Sequence, residues 1–124
     1  MLYLEDLTEK IIGAAIEVHR TLGPGLLESA YQECLARELT LRKVPFEKEK
    51  HLPVEYKGVQ VDCGYRMDFV IDNQVIVELK AVEVVLPIHR AQLITYLKLT
   101  GYKVGFLINF NVQQLIKGIE RLAN

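Results

Sequence analysis

Three ionisable side chains, Asp68, Glu78 and Lys80, lie inside runs of mostly β-branched and aromatic residues. Charge in such sequence is costly to bury unless the groups meet a cation or one another. In the run over 59–71, Val59, Val61, Cys63, Tyr65, Met67 and Phe69 are apolar, whereas Gln60, Asp62, Arg66 and Asp68 are polar. A period of two marks a strand. The next run, over 75–80, reads Val-Ile-Val-Glu-Leu-Lys. The loop between the runs decides whether the acids converge, because directly opposed residues of a hairpin share a face. A loop of Asp72-Asn73 alone would oppose Asp68 to Val77 and turn Glu78 away. A loop of Asp72-Asn73-Gln74 opposes Asp68 to Glu78, Phe69 to Val77 and Met67 to Leu79, so that apolar faces meet. Asn73 tolerates the left-handed backbone that such loops require. Lys80, two residues past Glu78, then falls on the same face.

Two carboxylates in that register are hard oxygen ligands for Mg2+ or Mn2+, with the Leu79 carbonyl and water completing the set. A cation there polarises a phosphoryl oxygen and acidifies bound water. Lys80 is placed to orient that water or to stabilise transition-state charge. The competing account is a solvated sheet face carrying a cross-strand ion pair. Glu28 and Tyr31 lie one helical turn apart. Glu28 either adds a carboxylate to the site or, in a first helical turn, simply favours the positive end of the dipole. Tyr31 is then an ordinary core aromatic with its hydroxyl satisfied. Gln92 and Tyr96, four apart on a later helix, would hold phosphate, water or the lysine, or else pack helix against sheet. His19, at the end of an apolar helical face, reads as a satisfied core histidine. The cluster Glu47-Lys48-Glu49-Lys50-His51 reads as a solvated edge, and Arg37, Arg42 and Lys43 as a solvated helix face.

Hydrophobic periodicity places these residues. Helices are expected over 4–20, stopped by Gly23-Pro24-Gly25, and over 26–42, ended by Val44-Pro45. A strand over 46–56 contains Pro53, which makes it an edge strand or bends it. Lys57-Gly58 turns into the strand over 59–71, and 75–80 is the third. Pro87 opens a helix over 88–100 that Gly101 closes. A fourth strand spans 103–110, and Asn111 caps a last helix over 112–122. The order is α-α-β-β-β-α-β-α, an α/β domain with a mixed four-stranded sheet flanked by helices.

The 124 residues suit one domain, and with 50% of them apolar they suffice for a core. A net charge of −1 excludes a globally basic nucleic-acid binder, so any polyanion would meet a local patch. Cys34 and Cys63 show no metal spacing and are expected to act as small core residues in a reducing, cytoplasmic setting. No run has membrane-spanning length, and the N-terminal residues do not resemble a signal peptide. Gly-rich phosphate loops, nucleophile elbows and zinc spacings are absent.

Gly25-x-x-Glu28-x-x-Tyr31 resembles the signature of the GxxExxY proteins. The set Asp68…Glu78-x-Lys80 resembles that family too, as do His89-Arg90-Ala91-Gln92-Leu93-Ile94-Thr95-Tyr96-Leu97 and Gly105-Phe106-Leu107-Ile108-Asn109-Phe110. The family is placed within the PD-(D/E)xK nuclease superfamily, although Met67 stands where that name has proline. The resemblance implies a restriction-endonuclease-like core and an Mg2+-dependent phosphodiesterase site of Asp68, Glu78 and Lys80. It adds Glu28, and a Gln92-x-x-x-Tyr96 motif similar to one in RecB-like exonucleases. Nucleic acid is the implied partner, DNA ahead of RNA. The alternative is a non-catalytic nucleic-acid-binding or regulatory module on the same scaffold. A homodimer is compatible with the apolar residues that reach the edge strand.

Overall fold

The computed structural model describes residues 4–124. Residues 1–3, the start of the segment expected not to be a signal peptide, lie outside the described residues. Two helices, α1 (Glu5–Leu22) and α2 (Glu28–Leu41), precede strand β1 (Phe46–His51), a hairpin of β2 (Val54–Tyr56) and β3 (Val59–Val61), and strands β4 (Arg66–Ile71) and β5 (Val75–Lys80). Helix α3 (Pro87–Thr100) crosses over to β6 (Val104–Asn109), and a short 3-10 helix, Leu115–Gly118, leads into β7 (Ile119–Ala123). The main sheet has the order β1-β4-β5-β6-β7. Only the β5–β6 pair is parallel, as the crossover through α3 requires.

The sheet is covered on both faces. Phe69, Ile71, Val77, Leu79, Phe106 and Ile108 pack with Ile11, Val18, Leu35 and Leu39 of α1 and α2. Val70, Ile76 and Leu107 pack with Leu93, Tyr96 and Leu97 of α3. Alternation along β5 therefore sends Val75, Val77 and Leu79 one way and Ile76, Glu78 and Lys80 the other. Both faces of β5 and β6 are buried, which explains their nearly continuous apolar sequence. Pro87 opens α3 and Gly101, at φ 81°, closes it, as expected.

Three expectations are corrected. The residues over 112–122 form no helix but the 3-10 helix and β7, so the sheet has five strands, not four. Val112, Leu115, Ile116 and Ile119 imitate helical spacing. Without β7, however, the wholly buried β6 would leave one edge of backbone donors and acceptors unpaired, and β7 pairs it from Val104↔Ala123 to Ile108↔Ile119. Secondly, 46–56 and 59–71 do not form one long hairpin. Leu52-Pro53 opposes Asp62-Cys63-Gly64-Tyr65 between the β1–β4 and β2–β3 ladders, and this mismatch detaches the hairpin from the main sheet. Gly64, at φ 77°, and the bond from its N–H to Asp62 Oδ1 (3.0 Å) make the break. Val59, Val61, Cys63 and Tyr65 are consequently exposed, and Cys63 is not a core residue. Thirdly, Met67 joins the α3-side cluster whereas Leu79 packs toward α1 and α2, so the expected contact of their faces does not form.

Other expectations hold. β1 is an edge strand with ion pairs Lys50–Glu47 and His51–Asp62 on its solvated side chains. The hairpin turns at Lys57 (φ 48°) and Gly58 (φ 83°), which is the left-handed pair such tight turns need. His19 is buried and its Nε2 donates to the Val112 carbonyl at 2.7 Å. Among the described residues no helix is long and apolar enough to cross a membrane.

The entry to β7 has no spare space. A Cβ at Gly118 would lie 2.2 Å from the Asn109 carbonyl oxygen. Gly118→Ala is expected to lower unfolding free energy by about 1–3 kcal/mol, the usual cost of overpacking, measured by urea denaturation.

Candidate functional site

The β4–β5 ladder runs Ile71↔Val75, Val70↔Ile76, Phe69↔Val77. This is the register of the longer loop, with Asp72 (φ 51°) and Asn73 (φ 54°) both left-handed. The next rung would pair Asp68 with Glu78. There side chains replace the ladder: the Asp68 N–H donates to Glu78 Oε2 at 2.7 Å, and the Leu79 N–H donates to Asp68 Oδ2 at 2.8 Å. Each carboxyl is thus tied to the other's strand, and Oδ1 and Oε1 are the oxygens these two bonds leave over. On the far side of β4, Glu49 adopts φ 53° in the middle of β1, between the rungs Lys48↔Phe69 and Lys50↔Met67. Both neighbours of β4 therefore depart from regular pairing beside Asp68.

Glu78 is only 6% exposed. Burial pushes its carboxyl up to about 8, with the nearby Asp68 charge the next cause and the Asp68 N–H and Lys80 opposing. Burial likewise raises Asp68 to about 6, opposed by the Leu79 N–H and Lys80 and reinforced by the charges of Glu28 and Glu49. Two acids compete for one desolvated space, and each makes the other's ionisation harder. Tyr96, buried on α3, is raised by burial first and then by the charges of Glu78 and Asp68, while a hydrogen bond with Gln92 acts the other way. Lys80 lines a groove with Gln92 and Tyr96.

Of the residues singled out from the sequence, Asp68 and Glu78 are each bonded to the other's strand, Lys80 follows Glu78 on the same face of β5, and Gln92 and Tyr96 line a groove with Lys80. Leu79 holds Asp68 through its backbone N–H. Glu28, the exposed first residue of α2, contributes through its field. Tyr31 has a different part. Its hydroxyl donates to the Gly23 carbonyl at 2.6 Å and accepts from the Leu26 N–H at 3.1 Å, and its ring stacks on Phe110 at 4.5 Å. It fixes the loop, with Gly25 at φ 101°, that leads into Glu28 at the start of α2.

Sequence reading gave no individual role to Glu49, Tyr65 and Asn109, and His89 entered it only with the stretch His89–Leu97. Glu49 gave no signal, because its left-handed backbone is imposed by the sheet. Tyr65 lies 6.4 Å, ring to ring, from Tyr96, but strand alternation made it a core position. His89 accepts the Leu86 N–H on Nδ1 at 3.0 Å and so caps α3. Asn109 is buried and clamps the loop after β5, bonding the Val82 N–H (3.1 Å) and carbonyl (2.9 Å). A lone asparagine closing an apolar strand was the available signal for this last role.

A family model described as the PD-(D/E)XK nuclease superfamily matches residues 5–122. The chain belongs to the PD-(D/E)XK nuclease superfamily. No curated protein and no solved structure is significantly similar to it. The three helices and mixed five-stranded sheet agree with the restriction-endonuclease-like core of this superfamily. Members of the PD-(D/E)XK superfamily generally use Mg2+ or Mn2+. Among the described residues no group of three or more His, Cys, Asp or Glu side chains is arranged to hold a metal ion. The donor set is a carboxylate pair, which is enough for a small hard cation that keeps most of its ligands as water or phosphate oxygens.

The raised acids make metal-free stability depend on pH in a definite direction. In the unfolded chain both titrate near 4. Above that value the native state retains protons that the unfolded chain has lost, so stability falls as pH rises through about 6 and about 8. In chelator, the unfolding free energy from urea denaturation is expected to fall between about pH 5.5 and 8.5, by on the order of 1 kcal/mol or more. Glu78→Gln is expected to flatten that decline.

Proposed function

We propose that the chain is a metal-dependent nuclease hydrolysing phosphodiester bonds of nucleic acid, DNA ahead of RNA. The observation that carries this reading is the pair of a buried Glu78 and a half-buried Asp68, each tied to the other's strand with an oxygen left over from its backbone bond, and with Lys80 two residues on along the same strand. Two neighbouring acids that hinder each other's ionisation in a partly desolvated site are costly without a partner, and a divalent cation is a partner that would relieve both. Asp68 and Glu78 would hold Mg2+ or Mn2+, helped by the Leu79 carbonyl and, through water, by Glu28. When bound, the cation would polarise the scissile phosphate and acidify a coordinated water.

The chain's own groups have the remaining work. Lys80 orients the attacking water and offsets charge building on the phosphate. Gln92 and Tyr96 line a groove with Lys80, where their amide and phenol would hydrogen-bond water or phosphate. Tyr31 and Asn109 keep the surrounding loops in place. Cys34 and Cys63 are free thiols, which supports a cytoplasmic location. The full motif set supports membership of the GxxExxY group and treatment of the chain as one nuclease domain.

The test is cleavage of labelled single- and double-stranded DNA and RNA with Mg2+, Mn2+ or chelator. Cleavage is expected only with metal. Lys80→Ala is expected to lower kcat by about 100-fold or more with an unchanged circular dichroism spectrum, and Asp68→Asn to abolish turnover. Nucleic-acid binding without turnover by the unaltered protein under every metal would instead favour a non-catalytic binding module.

A further inference from the structure

A groove of 680 Å³ lies between the β2–β3 hairpin side and α3, and Lys80, two residues past Glu78 on β5, is part of its lining. Val54 and Tyr65 come from the hairpin side, His89, Gln92 and Tyr96 from α3, and Lys80 from β5. Its volume suits a ligand of nucleotide size. We propose that this groove takes an unstacked base of a single-stranded nucleic acid and so sets the strand that the carboxylate pair acts on. The inference rests on the nuclease reading and adds the substrate class.

Four observations carry it. Tyr65 is 45% exposed and meets Tyr96 edge-to-face, 62° between ring planes, so one aromatic face is available beside a second ring already packed. The Tyr65 backbone is fixed by the Leu52 N–H on its carbonyl at 2.9 Å and by the left-handed Gly64 before it, so little order has to be gained on binding. His89 accepts on Nδ1, which makes Nε2 the donating nitrogen of its neutral ring, and Gln92 offers an amide that both donates and accepts. A flat heterocycle needs such edges. Finally, Lys80 is the one lysine or arginine lining the groove, in a chain of net charge −1. With one such cation in its lining the groove offers few phosphate contacts, and stacking, which a paired base cannot offer to a protein ring, is what its aromatic wall supplies. Lys80 lines the groove and lies two residues past Glu78 on the same face of β5, so a base seated here would bring its own phosphodiester toward Asp68 and Glu78.

The experiment measures binding of a fluorescent 12-nucleotide thymidine strand to the full chain by polarisation, with Ca2+ replacing Mg2+. Comparison strands are the same length of abasic residues and a duplex. Tyr65→Ala is expected to weaken binding of the thymidine strand by about 10-fold or more, Tyr65→Phe to restore it, and the abasic strand to bind weakly and indifferently to either change. Equal affinity of Tyr65→Ala and unaltered protein for the thymidine strand overturns the proposal, as does tighter binding of duplex than of single strand. Cleavage assays run in parallel separate the two readings. Metal-dependent cleavage with no Tyr65 effect on affinity or KM sinks the groove alone. A Tyr65 effect on affinity without any cleavage supports the groove and sinks the hydrolase reading.

Discussion

Where β4 and β5 should exchange one more pair of backbone hydrogen bonds, Asp68 and Glu78 exchange side-chain ones instead. Each carboxyl accepts a backbone N–H from the opposite strand. The substitution satisfies the donors that the interrupted ladder would otherwise strand, so the sheet can open at its middle without leaving polar backbone unpaired. It also holds Glu78 buried and Asp68 half-buried beside each other. Their raised protonation follows from this arrangement.

The rest of the fold maintains that opening. Strands β5 and β6 are buried on both faces and supply a rigid floor. Helix α3 lies over the face that carries Glu78 and Lys80, and its Gln92 and Tyr96 line a groove with Lys80. Helices α1 and α2 cover the other face, and the Tyr31 hydroxyl clamps the loop that joins them. Asn109 ties the segment after β5 to the end of β6, so the strand bearing Glu78 and Lys80 is held beyond its last residue. Sites of this kind need such support, because a carboxylate displaced by an ångström no longer meets its cation.

Membership in the PD-(D/E)XK nuclease superfamily accounts for the combination of a buried acid pair and a lysine two residues on. It does not account for the wall of Tyr65 and Val54 beside α3. That wall exists because the second long apolar run is broken at Gly64 and the hairpin leaves the sheet. The groove it bounds has an aromatic wall and, among the described residues, one lysine.

Period-two and helical patterns identified α1, α2, β4, β5, α3 and β6 correctly, since each has one or two faces that must be buried. The loop Asp72-Asn73-Gln74 was legible as well, because a slip of one residue would have turned Phe69 and Val77 away from the core. Local sequence therefore determined which residues could form the acid pair and in what register. Tertiary structure alone decided three things. It made β7 from a segment of helical spacing, because the free edge of β6 demanded a partner. It detached the β2–β3 hairpin, because unequal lengths between two ladders cannot be seen until the ladders form. It ended the β4–β5 pairing at Asp68, because exchanging backbone for carboxylate hydrogen bonds is favourable only once both strands and the helices around them have excluded water.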